Sequence, residues 1–217
     1  MLNSQSDLSA SMEVSGDVLD RIKYRISLLD EIHLKTQEGQ VTDIEELQSF
    51  LRHGLWILGP EYDSIEYTPH YEIINVVRQF CGIENCEIVG SKPAFVILPD
   101  SIVGIYYLAK FDEEGCEIGV DRLTVVELVR SGFLIGDEQK SRAWRCMVEL
   151  MKRALLEHNS KVNYFLLGSD IDPIEYGIRS ERNGNVFISA LSYSTAIERA
   201  KCRVLNLRDK IRNTSVF

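Results

Sequence analysis

Histidine and cysteine are too sparse and too scattered in this chain to carry metal or disulfide chemistry. The four histidines, His33, His53, His70 and His158, show no HxH or HExxH spacing, so a zinc site is not expected. Cys81, Cys86, Cys116, Cys146 and Cys202 are odd in number and contain no CxxC pair. That pattern fits neither a disulfide framework nor a zinc module. No run of about 18 apolar residues occurs, so no transmembrane helix and no membrane partner are expected. Residues 1–20 lack the apolar core of a signal peptide, and a cytoplasmic location is the expectation. There is no GxSxG nucleophile motif and no GxxxxGK(S/T) phosphate cradle. Gly132-Phe133-Leu134-Ile135-Gly136 reads as a connecting turn, and no nucleotide cofactor is evident.

What is present suits one sizeable globular domain: 217 residues, 45% hydrophobic and 26% charged. The net charge of -9 averages two unlike halves. Residues 1–138 carry 10 Lys/Arg against 25 Asp/Glu, and residues 139–217 carry 14 against 8. The basic half could favour a polyanion or an acidic partner, or the halves could neutralise each other in the fold.

Along the chain, Ser- and Gln-rich residues 1–16 read as a flexible tail. A helical segment over 17–39 follows, with Val18, Ile22, Ile26 and Leu29 on one face. Thr42 and Glu45 make a capping-box-like start to a second helix ending near Gly54. Leu55 to Tyr62 reads as a packed turn, and Ile73 to Phe80 as either a short helix or an edge segment. Strands are expected at 94–98, 102–111, 123–130, 162–167 and 185–190. A long helix over 137–157 carries the stripe Trp144, Met147, Val148, Met151 and Leu155, with Cys146 beside it as a small core residue. A last helix from Thr195 to about Arg212 buries Ala196, Ala200, Val204, Leu207 and Ile211 and is basic elsewhere. The order implies an α/β fold, with the 137–157 helix crossing between parallel strands.

The strand Leu123-Thr124-Val125-Val126-Glu127-Leu128-Val129-Arg130 holds one carboxylate in an apolar run. Burying that charge is costly unless it is paired or binds a metal. Period-2 alternation sets Glu127 and Val129 on one face, with Arg130 on the other. Glu127 is either a site residue or a carboxylate paired with an arginine such as Arg142 or Arg145.

Lys92-Pro93-Ala94-Phe95-Val96-Ile97 and Val125-Val126-Glu127-Leu128-Val129-Arg130 resemble the two halves of the PD-(D/E)XK nuclease motif. The closer likeness is to the Shedu-type nuclease domain associated with anti-phage defence. It is supported by Glu46 to Leu51, Leu55 to Tyr62 and Val204 to Ile211, and spans roughly residues 40–212. The resemblance implies a PD-(D/E)XK-like mixed sheet flanked by helices, with an N-terminal helical segment ahead of a nuclease-like domain over 40–217. In an active member it implies carboxylates on Mg²⁺ and a lysine beside the attacking water. Here Ala94 stands at the aspartate position and Val129 at the lysine position, and only Glu127 matches. Compensating groups could be Asp100, Asp121, Glu45 or Glu46 as carboxylates and Lys140 as the cation.

The expectation is therefore a nuclease-like domain that has lost catalysis and binds a protein partner, a second copy of itself, or DNA or RNA. Arg199, Arg203 and Arg208 on the last helix are the candidate nucleic-acid contacts. No cofactor is expected unless a rearranged, Mg²⁺-dependent nuclease site centred on Glu127 survives. A protein-interaction module with no nucleic-acid role is the remaining alternative.

Overall fold

The computed structural model describes residues 4–37, 55–62, 71–80, 88–89, 94–98 and 100–214. The helix expected from Thr42, with Glu45 and Glu46, lies outside the described residues. The fold is α/β: a mixed sheet flanked by helices, with a helix at the N-terminal end.

The sheet contains β1 (Ile88–Val89), β2 (Ala94–Ile97), β3 (Ser101–Phe111), β4 (Glu117–Val129), β6 (Lys161–Gly168), β8 (Gly177–Glu181) and β9 (Val186–Ser192). Their order across the sheet is β1-β2-β3-β4-β6-β9-β8. β1 to β4 form an antiparallel meander, β4, β6 and β9 run parallel, and β8 closes one edge antiparallel to β9. A separate small pair joins β5 (Leu134–Ile135) to β7 (Asp170–Ile171). At the tip of the β3–β4 hairpin, the Asp112 carboxylate accepts from the Glu114 and Cys116 amides. Gly115 there adopts φ +79°, a conformation that glycine reaches without strain.

The helices are α1 (Ser4–Gln37), α2 (Tyr71–Phe80), α3 (Asp137–Lys152) and α4 (Tyr193–Thr214). α1 thus covers most of the stretch whose composition suggested a tail, and residues 71–80 resolve as helix. Side-chain alternation divides the core. Val103, Val125 and Leu166 pack with α2 and α3 on one face. Ile102, Val126, Leu128 and Leu167 pack with α1, α4 and the Leu55–Ile57 turn on the other. β4 and β6 therefore read as near-continuous apolar runs because both their faces are covered.

Two helices are rotated from expectation. α3 ends at Lys152 and buries Ala143, Cys146, Met147 and Leu150, while Trp144 and Met151 lie at the rim. α4 buries Ala196, Ala200 and Val204 as expected but leaves Leu207 45% exposed. Tyr193 and Ile197 take part in the core instead.

Candidate functional site

Glu127 sits near the middle of the sheet, paired with Val103 on β3 and Leu166 on β6. Its side chain is fully buried on the α3 face, the face it shares with Val129. Burial at this position demands partners for both carboxylate oxygens. Oε1 accepts from Ser101 Oγ at 2.9 Å and from Arg142 Nη2. Oε2 accepts from the Tyr164 hydroxyl at 2.6 Å.

Arg142 comes from α3, whose first turn is fixed by the Gly136 amide donating to Gln139 Oε1 at 2.9 Å. Asp137 and Glu138 in that turn suit the helix dipole. The second guanidinium arm, Nη1, donates to Asp100 Oδ2 at 3.1 Å. Asp100 lies at the mouth of β3, where its carbonyl accepts from the Arg130 amide at 2.8 Å. Ser101 Oγ lies 3.2 Å from Asp100 Oδ1 and 2.9 Å from Glu127 Oε1, so those carboxylate oxygens are within about 6.1 Å of each other. Burial alone would disfavour the Arg142 charge. Glu127, Asp100 and Tyr164 together outweigh that penalty and hold the guanidinium above its ordinary range. Its Nε is buried without a hydrogen-bond partner among the described residues.

Of the described residues expected to compensate the altered motif, Asp100, Asp121 and Lys140, Asp100 alone joins Glu127. Asp121 is exposed six positions back along β4, about 20 Å away at strand rise. Lys140 is buried, but its ammonium pairs with Glu175 Oε2 at 3.1 Å and donates to the Glu175 and Gly177 carbonyls. It holds the segment leading into β8 against α3. Val129 is fully buried among apolar neighbours.

This donor set does not fit Mg²⁺ as it stands. The ion takes near-octahedral oxygen ligands. Here both Glu127 oxygens accept from protein donors, and the cation beside them is a guanidinium.

The three basic candidates on α4 separate. At 100° per residue, Arg199 and Arg203 lie about 40° apart, whereas Arg208 lies about 180° from Arg199. Arg208 pairs with Asp209 at 3.0 Å. Arg203 donates to the Ile57 carbonyl at 2.6 Å and the Trp56 carbonyl at 3.4 Å. Lys210 shares Arg203's side of the helix, and both line a hollow with Arg25. Arg25 in turn lies over the Trp56 ring, 4.7 Å from its centroid. The basic face is therefore Arg25, Arg199, Arg203 and Lys210.

Ser101 and Tyr164 were missed from the sequence. A hydroxyl at one strand's start and a phenol on another become partners of Glu127 only through register. No helix among the described residues is long and apolar enough to cross a membrane. No family model matches the sequence, and neither the curated proteins nor the solved structures give a match.

Proposed function

We propose that this chain is a nuclease-like domain of the PD-(D/E)XK type, resembling the Shedu kind, that acts by binding rather than by cleaving. The observation that carries the reading is the Arg142 guanidinium bridging Asp100 and Glu127. A cleaving site of this type would bring those carboxylates to a metal and add a lysine near the attacked phosphate. Here an arginine joins the acids and Val129 stands where the lysine would be.

Two further features support the fold assignment. The sequence also carries Pro99-Asp100 immediately before β3, a second proline-acid candidate for that half of the motif beside Pro93-Ala94. An acid at the start of one strand then lies beside Glu127 on its antiparallel neighbour. The partner on this reading is a protein, a second copy of the chain, or a nucleic acid meeting the basic face.

The test is incubation of the full chain with single- and double-stranded DNA and RNA in Mg²⁺ or Mn²⁺. No cleavage above a buffer control is expected. Metal-dependent cleavage lost in Glu127→Gln would overturn the reading. It would favour a rearranged nuclease in which Asp100 and Glu127, already within about 6.1 Å, exchange Arg142 for metal.

A further inference from the structure

On the sheet face opposite Glu127, a cleft of about 430 Å³ opens between the first three turns of α4, the Ile57–Leu58 turn and the edge strand β8. That volume lies within the range of small-molecule sites. Its floor is apolar, built by Phe165, Leu191 and Ala196. Tyr176 and Ile178 flank it and are 60% and 67% exposed.

The charge on the walls has one sign. Arg199 and Arg203 line the cleft, and no Asp or Glu among the described residues does. Arg203 is anchored through Nη2 to the Trp56 and Ile57 carbonyls, which fixes its guanidinium plane. Arg199 is exposed and makes no hydrogen bond or ion pair among the described residues. The two cations repel: burial holds Arg203 below its ordinary range, Glu61 opposes that, and Arg199 adds to it.

We infer that this cleft binds a small organic anion, an apolar or aromatic body carrying one carboxylate, sulfonate or phosphate group. The body lies on Phe165 and Leu191 between Tyr176 and Ile178. The anionic group meets Arg199 and the free arm of Arg203, guanidinium donors suited to carboxylate and phosphate oxygens. The inference does not rest on the reading of the Glu127 site, which faces the other helical layer.

The probe is 1-anilinonaphthalene-8-sulfonate, compared with uncharged N-phenyl-1-naphthylamine, in fluorescence titrations of the folded full chain. Saturable binding of the sulfonate is expected, with the neutral compound clearly weaker. Arg199→Glu should weaken the sulfonate about tenfold or more by reversing a charge at the anionic end. It should leave the neutral compound nearly unchanged. Ile178→Asp should weaken both. Both positions are exposed, and an unchanged circular dichroism spectrum confirms folding. Phenyl phosphate and phenylacetate then serve as competitors, and the better one names the headgroup. Equal affinity for both probes, indifference to Arg199→Glu or to Ile178→Asp, or displacement by neither competitor would overturn the assignment.

Discussion

Arg142 Nη2 donates to Glu127 Oε1 across the seam between α3 and β4, and the same guanidinium reaches Asp100 at 3.1 Å. Glu127 is fully buried, while the side chains of Arg142 and Asp100 are 21% and 16% exposed. The arrangement is thus a buried charge held by a partner that touches solvent. Removing one member of such a pair strands the other, at a cost of about 3–5 kcal/mol. Arg142→Ala and Glu127→Gln should each lower unfolding free energy by about that much in urea denaturation. The double variant should lose clearly less than the sum of the two. Additive losses would show that the two side chains are not energetically coupled.

Asp100 is the more exposed carboxylate and shares Arg142 with Glu127. Asp100→Asn should therefore cost only about 1 kcal/mol, because the guanidinium keeps its buried partner. The same denaturation experiment measures it. A loss matching that of Glu127→Gln would mean that Asp100, not Glu127, is the main counter-charge of Arg142.

The strand that carries Glu127 was legible because its apolar run is too long to leave exposed, and Arg142 was legible as a partner from the helix that follows. The rest of the site depends on register. Ser101 and Tyr164 lie 26 and 37 positions from Glu127, and no local spacing links them. β8 was missed because an edge strand of five mostly exposed residues lacks a clean alternation. The α3 stripe was misplaced by one position because Lys140 is buried through ion pairing, which apolar periodicity cannot register.

Lys140 therefore supplies a separate test. Its ammonium holds the Glu175 carboxylate and two carbonyls near the start of β8. Lys140→Met keeps the apolar stem and removes the charge, leaving Glu175 and those carbonyls without the donor. A loss of about 2–3 kcal/mol is expected. Hydrogen exchange should rise in residues 173–181 and stay unchanged around Glu127. Increased exchange centred on β4 would place Lys140 with the Glu127 site.

Tyr107 sets an alkaline limit. Burial first, then its 2.8 Å hydrogen bond to Glu117 and the charge of that carboxylate, push the phenol up to about 12. Its neutral form is thus favoured by folding. The associated stability is fully present below the unfolded value near 10 and is lost as pH rises toward about 12. Burial also raises the Tyr193 phenol, further still, so ultraviolet titration should show a late tyrosine near 12 that disappears in Tyr107→Phe while Tyr193 stays protonated. Over pH 10–12, the variant's stability should fall less steeply than the parent's. Equal slopes would mean that Tyr107 titrates no later than in the unfolded chain.

The geometry of α4 gives the last test, because it separates arginines that composition treats alike. Arg199 and Arg203 line one cleft, Arg203 and Lys210 line the next hollow, and Arg208 points away and is paired with Asp209. Retention of a DNA or RNA oligonucleotide at low salt should therefore follow Arg199 and Lys210. Reversing both to Glu should reduce the salt slope by about two phosphate contacts and weaken binding regardless of base sequence. Arg208→Glu should leave the slope within error, since that side chain lies about half a turn around the helix. Equal losses from Arg208→Glu and from the paired reversal would mean that only net charge matters. The basic face would then be no more than the solvated side of a helix.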